Sequence, residues 1–356
     1  MTTGEQTQPI APDGRNRHDR PDRHDRHEGA AMHAAPVPFD PALAAVLDAL
    51  PRGEGDAASP GTVAAIRASV ANGPAPSVAE SVGDRGIDVE ERSVPGPDGA
   101  PPLEVTVLRP RRHTPPVPGL FSIHGGGMIS GDRHQDVPRL ADLVEELGVV
   151  AVSVEYRLAP EHPDPAPVED CYAGVRWMWR HAAELGVDPD RIAVMGGSAG
   201  GGLAAGVALL ARDRQGPPLA GQLLLCPMLD DLNTTVSSHQ YDGRGTWQRD
   251  ANLLAWQALL GDRAGDPSAE VSPYAAPARA LDLSGLPPAF VEAGSAELFR
   301  DEDVAYASRI WAAGGQAELH IWQGAFHGFD VFAPDHEITR AALAARRSWL
   351  RRVLGL

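Results

Sequence analysis

Ser198 stands in the stretch AVMGGSAGGGLAAGVALLA, residues 193–211, where most of its neighbours carry no side chain. GGSAG fits G-x-S-x-G, with Gly196 and Gly200 as the outer glycines. At a strand-to-helix turn this pattern holds a serine in a strained backbone conformation and pushes its hydroxyl out above a sheet. Side chains two positions away would collide with the neighbouring strand and helix. The helix start that follows favours nearby negative charge. Glycine-rich helix starts also occur at nucleotide-binding turns, so the motif alone leaves both chemistries open.

A second motif favours acyl transfer. His124, Gly125, Gly126 and Gly127 follow one another in FSIHGGGMISGD. Consecutive glycines free backbone N–H groups to converge on one oxygen, as the oxyanion of an acyl transfer requires. The expected donors are the N–H groups of Gly126, Gly127 and Ala199. His124 ends a strand, so its expected role is a structural hydrogen bond within the glycine loop.

A serine hydroxyl is a weak nucleophile at neutral pH. It needs a base, and the base needs an acid to orient it. In strand-turn-helix enzymes of this kind the chain order is serine, acid, histidine. Four histidines follow Ser198. His320 lies inside the strand AELHIWQ, His239 in an irregular stretch, and His336 at the start of the last helix. His327, in the loop QGAFHGFD, is the expected base. The acid should follow the strand PAFVEAG, where Glu297, Asp301, Glu302 and Asp303 are available. Asp301 reads as a helix N-cap and Glu302 and Asp303 as first-turn residues. Glu297 is left without a helical duty and is the expected acid.

The elements that must position these groups are legible as a change of period. GIDVEERSV and PLEVTVLRP read as a hairpin, and strands then alternate with helices to the end of the chain. The long helix of this series spans PVEDCYAGVRWMWRHAAEL. Such alternation predicts an α/β fold with a mostly parallel eight-stranded sheet between helices, its first strands antiparallel. About fifty residues after LLLCPMLD break the rhythm and carry Tyr241, Trp247 and Trp256. An insertion at a strand's carboxyl end suits a lid or pocket wall; a surface excursion with its own small core is the alternative.

The expected organisation is a disordered Arg/His/Asp-rich tail at 1–35, helices at 36–82, and a catalytic domain at 83–356 with an insertion near 228–265. The tail histidines His18, His24 and His27 match no ordered metal-site spacing. The net charge of −17 argues against a nucleic-acid partner. No apolar run reaches membrane-spanning length, and no signal peptide is evident. Cys171 and Cys226 sit in apolar stretches and read as reduced, buried thiols, which fits a cytoplasmic protein.

HGGG, YRLAPEHPDPAPVED, GGSAGG, FRDED and FHGF together resemble the bacterial hormone-sensitive-lipase-like esterases of the α/β-hydrolase fold, from about Gly119 onward. The resemblance implies Ser198 as nucleophile, His327 as base and an oxyanion hole from the HGGG loop with Ala199. Many members carry an Asp in D-P-L-R-D-E; ELFRDE has Glu297 there and Leu298 for the proline. YRLAPEHP is a further family mark, in which Arg157 and Glu161 are expected to tie loops beneath the oxyanion turn. The resemblance further implies a cap made of the N-terminal helices and the insertion, a homodimer through the edge of the last strand, no cofactor or metal, and short- to medium-chain acyl esters as substrates. Met128 and Trp247 are expected to line an apolar acyl pocket. Other uses of the same machinery are amide cleavage, a lyase reaction, or ligand binding without turnover.

Overall fold

The computed structural model describes residues 1–2, 35–50, 62–71, 76–114 and 116–356. Nearly all of the tail at 1–35 therefore lies outside the described residues, as does the breaker at 51–60. The strands are β1 (Ile87–Val94), β2 (Leu103–Pro110), β3 (Val117–Ile123), β4 (Val150–Val154), β5 (Val187–Gly197), β6 (Gly221–Leu225), β7 (Ala289–Gly294) and β8 (Ala317–Trp322). They form one sheet in the order β1-β2-β4-β3-β5-β6-β7-β8. β1 and β2 pair antiparallel as a hairpin, Ile87 opposite Pro110 and Val94 opposite Leu103, and β2 pairs antiparallel with β4. The remaining pairs are parallel.

The inner strands read as unbroken apolar runs because both faces of the sheet are covered. In β5, Ile192 and Val194 pack into one cluster while Ala193 and Met195 pack into the other, the period of two that a strand imposes. On the first face lie the helices Ala166–Arg180 and Ala199–Asp213. On the second lie Val137–Leu147 and Glu337–Leu354. Val137–Leu147 starts with proline in its first turn and ends at Gly148, whose φ of 66° stops it. The expected long helix is two: Ala166–Arg180 ends at His181, and Ala182–Leu185 follows.

The three described N-terminal helices pack into three clusters, Val63–Ala71 through Ile66 into the one that holds Ile192 and Val194. Pro41–Ala49, capped by the Asp40 carboxylate on the Ala42 and Leu43 amides, packs Leu43 against Ala325, Phe326 and Phe329. Tyr241 and Gln240, from the insertion, donate hydrogen bonds to the carbonyls of Val37 and Ala35 at 2.9 and 2.6 Å. These contacts join the chain entry to the insertion. Val78–Val82 instead packs Val82 among Val137, Leu140 and Leu147 on the opposite face of the sheet. That helix at the end of 36–82 thus belongs with the second helical layer.

Candidate active site

Ser198 is the single residue between the end of β5 and the helix Ala199–Asp213. Its φ of 56° and ψ of −124° lie where a side-chain-bearing residue pays on the order of 1–3 kcal/mol. The surroundings over-determine this conformation. The Ser198 N–H donates to Leu225 O at 2.8 Å, and its carbonyl accepts from Gly202 N at 3.1 Å and Met228 N at 3.0 Å. A Cβ on Gly200 would lie 2.0 Å from Ile123 O, and one on Gly196 would lie 2.2 Å from Gly200 O. The flanking glycines are there because strand and helix backbones touch.

The structure brings Ser198, His327 and Glu297 together from the ends of β5, β8 and β7. Ser198 Oγ lies 3.0 Å from His327 Nε2, and His327 Nδ1 lies 2.6 Å from Glu297 Oε2. The other Glu297 oxygen accepts from Gly294 N–H at 2.7 Å. The Glu297 side chain is 1% exposed and that of His327 11%. A buried carboxylate facing Nδ1 keeps the proton on that nitrogen and leaves the Nε2 lone pair for the serine hydroxyl. The edge of Phe299 meets the imidazole at 5.2 Å between centroids, and Thr246 Oγ1 donates to His327 O. Thr246 comes from the insertion, and neither contact leaves a local sequence signal.

The HGGG loop turns back on itself beside Ser198. Gly126, Gly127 and Met128 all have positive φ, at 105°, 66° and 61°. Gly126 O accepts from Ile129 N, Ser130 N and Ser130 Oγ. The Gly126 and Gly127 N–H groups have no acceptor among the described residues. Ala199 is the first residue of its helix, so its N–H has no intrahelical acceptor either. His124 is fully buried, stacks on Tyr156 at 4.2 Å and bonds Gly125 O through Nδ1 at 2.8 Å. Burial lowers its pKa, so it stays neutral within the loop.

The two loop-tying residues take different partners. Arg157 grips Asp170 of the helix Ala166–Arg180 with two bonds of 2.8 and 2.7 Å. Glu161 receives two bonds from Arg67 of the N-terminal helix Val63–Ala71, which hold its carboxyl down at about 2. Arg67 also donates to Ile129 O and Ala159 O, so an N-terminal helix clamps the loop behind the glycine turn.

Among the four carboxylates after β7, three depart from helix-end expectations or extend them. Asp301 is not the N-cap of its helix, which begins at Arg300 after Phe299 with no side-chain cap. Its carboxylate instead accepts from Ser237 N at 2.8 Å and from Arg300 Nε at 2.7 Å. Asp301 thus serves the first turn of the insertion helix Val236–Gln240, a long-range partner the local pattern cannot reveal. Glu302 and Asp303 do occupy the first turn, as their pattern predicts, and both are buried. Glu302 accepts from the Leu229 and Asp230 amides at 2.8 and 3.1 Å. Neither Asp303 oxygen has a partner among the described residues, and burial pushes both carboxyls well up.

Trp247 lies on the glycine loop: a Cβ on Gly127 would sit 2.6 Å from its ring. Its Nε1 donates to Asn252 Oδ1 at 3.1 Å. Met128 is fully buried in the same cluster. Trp256 is fully buried in the same cluster as Met128, which also holds residues of β3 and β5. Behind the His327 loop, Arg346 of the last helix donates to Glu292 Oε1 at 2.9 Å and to Asp330 Oδ2 at 2.6 Å. Arg139 also reaches Asp330, at 3.1 Å. Burial would raise the Asp330 carboxyl, but the two arginines outweigh it and hold the group far below its usual range. Cys226, half-buried after β6, has φ of 42° and lies beside the acid and base. One ligand atom from each of Cys226, Glu297 and His327 lies within 4.8 Å of the other two.

Comparison with known proteins identifies the family. The family described as "alpha/beta hydrolase fold" (Abhydrolase_3) matches residues 120–331. The chain belongs to that α/β-hydrolase family. It is 41% identical over 258 residues to the carboxylesterase NlhH of Mycobacterium tuberculosis, covering 69% of this chain and 77% of that one. The structure titled "Bacterial Heroin Esterase" superposes with a TM-score of 0.81 at 39% identity, covering 89% and 98% of the two chains. The esterase LipW from Mycobacterium marinum gives 0.77 at 32% identity, covering 90% and 99%. The Cys171 and Cys226 thiols of this α/β-hydrolase are free, and no described helix is long and apolar enough to cross a membrane.

Proposed function

We propose that this α/β-hydrolase is a serine carboxylesterase acting by two-step acyl transfer. The observation that carries the reading is the unbroken chain from Ser198 Oγ through His327 to the buried Glu297, with links of 3.0 and 2.6 Å. His327 Nε2 takes the Ser198 proton as Oγ attacks the ester carbonyl. The N–H groups of Gly126, Gly127 and Ala199 receive the oxyanion, and one such donor is worth on the order of 3–4 kcal/mol of barrier. His327 then protonates the leaving alcohol. Water, deprotonated by the same nitrogen, hydrolyses the acyl-Ser198 ester, and Ser198 regains its proton. Glu297 stabilises the imidazolium in both steps.

The named relatives are esterases, which supports an ester as substrate. Trp247 and Met128 beside the glycine loop form the acyl wall in this reading and limit the chain to roughly two to eight carbons. The N-terminal helices, whose chain entry touches the insertion, act with the insertion as the cap. The protein acts in the cytoplasm, in keeping with its free thiols, and pairs as a homodimer through the edge of β8.

The test is a panel of p-nitrophenyl esters from acetyl to palmitoyl on the native protein and Ser198→Ala. The native protein should prefer short chains, and the variant should fold but lose turnover. A fluorophosphonate should label the native protein once, at Ser198. Labelling elsewhere, or faster hydrolysis of palmitoyl than butyryl ester, would contradict the reading.

A further inference from the structure

We infer that Cys226, Glu297 and His327 form an inhibitory site for a thiophilic divalent cation of the zinc class. Three donor atoms of the kinds zinc takes, a thiolate sulfur, an imidazole nitrogen and a carboxylate oxygen, lie within 4.8 Å of one another. Donors around one tetrahedral zinc at about 2.0–2.3 Å stand roughly 3.3–3.8 Å apart, so small side-chain movements close the set. The pair in contact, His327 Nδ1 and Glu297 Oε2, stands at 2.6 Å, so its hydrogen bond must open for both groups to reach the metal. The positions come from three different strand ends: Cys226 after β6, Glu297 after β7 and His327 after β8. Each strand end is fixed by the sheet. The chain has only one other cysteine, Cys171, which is buried in the helix Ala166–Arg180.

Burial and the carboxylates nearby push the Cys226 thiol up, so the cation must displace its proton. It takes the sulfur as thiolate, releasing one proton to solvent, with a Glu297 carboxylate oxygen and a His327 ring nitrogen as the other donors. Three protein donors leave one tetrahedral position for water. The consequence for turnover is the same through either ring nitrogen. Metal on Nε2 occupies the lone pair that faces Ser198. Metal on Nδ1 leaves the ring proton on Nε2, so that nitrogen can only donate to Ser198 Oγ. Either way the imidazole no longer accepts the serine proton. Magnesium and calcium favour all-oxygen sites and should not compete. The loss of turnover rests on the esterase reading above, whereas the binding does not.

The experiment uses the full chain, with Cys226→Ala and Cys226→Ser beside it. Zn²⁺ and Cd²⁺ should inhibit butyryl ester hydrolysis by the native protein, with full recovery on adding EDTA, and Mg²⁺ should not. Both variants should hydrolyse the ester at near-native rates, with an inhibition constant for Zn²⁺ at least about tenfold weaker. Cd²⁺ should give the native protein, and neither variant, a thiolate-to-metal charge-transfer band in the ultraviolet. That readout needs no activity, so it separates failure of this site from failure of the esterase reading. Equal Zn²⁺ inhibition in the native protein and a folded variant would overturn the proposal, since the metal would then be acting elsewhere, for example through the tail histidines. Absence of the charge-transfer band in the native protein would overturn it equally.

Discussion

Replacing Glu297 by Gln removes one charge from the buried contact with His327 and leaves the size of the side chain unchanged. The Glu297 oxygens face two N–H donors, His327 Nδ1 at 2.6 Å and Gly294 N at 2.7 Å. A glutamine amide has one oxygen for these two donors. If the oxygen stays on Gly294, an NH₂ group confronts Nδ1–H and drives the ring to the wrong tautomer. The charge matters separately. A carboxylate and an imidazolium with centres about 4 Å apart attract by about 4 kcal/mol at an effective dielectric near 20. Losing that stabilisation where the imidazolium forms would slow turnover by about 10³, and the tautomer conflict can extend this towards 10⁴. Asp301→Asn is the matched control, four positions along. Asp301 holds Ser237 N and Arg300 at the base of the insertion, so Asn should cost about 1 kcal/mol of stability and little rate. The assay is kcat on a p-nitrophenyl ester at fixed pH, with thermal melts of both variants. A crippled Asp301→Asn beside an active Glu297→Gln would refute the assignment of the acid.

Gly200→Ala should yield little folded or active protein, because its Cβ would stand 2.0 Å from Ile123 O and 2.6 Å from His124 O, both backbone atoms; a native melting temperature and rate would refute this. Trp247→Ala should open the space over Gly127 and shift the preferred ester to longer chains, read as a changed ratio of octanoyl to acetyl kcat/KM. Asp303→Asn tests the buried carboxyl. Burial, then Glu302 and Glu297 nearby, raise its folded pKa, so the folded protein keeps a proton that the unfolded chain releases above about 3.9. Stability from this group is therefore present below that pH and lost as pH rises towards the folded value. The variant should gain melting temperature relative to the native protein as pH rises above about 4, and parallel curves would refute the reading.

The parts of the site set by short-range rules were readable from the chain. GGSAG between strand and helix, the HGGG run and the order serine, acid, histidine each depend on neighbours in sequence or on strand order. The four carboxylates after β7 show where such reading stops. Glu297 could be singled out by elimination, and the structure brings it to His327. The elimination used a wrong premise for Asp301, whose partner Ser237 lies 64 residues away in the insertion. The burial of Glu302 and Asp303 was equally hidden, because acidic residues in a first helical turn look the same whether water or protein covers them. Trp256 and Trp247 differ by nine positions, yet one fills the core and the other lies on the glycine loop. Trp256 lies inside the helix Arg249–Leu260 and Trp247 in the bend before it, and no periodic pattern specified where that helix begins. His181 ended a helix where apolar periodicity continued through it.

The Arg346 contacts bear on the order in which the site becomes able to work. Glu292 is five residues before Glu297, and Asp330 three after His327, and one guanidinium ties them together. That guanidinium is encoded later than every group it steadies. A chain emerging from the ribosome through His327 holds serine, acid and base, but the loop bearing the base is not yet fastened to the strand bearing the acid. Fastening waits until the last helix has been made and has docked on the sheet beside Phe290 and Leu223. Nascent chains stalled before Arg346 would then be hydrolytically silent, and activity would arrive with the closing helix.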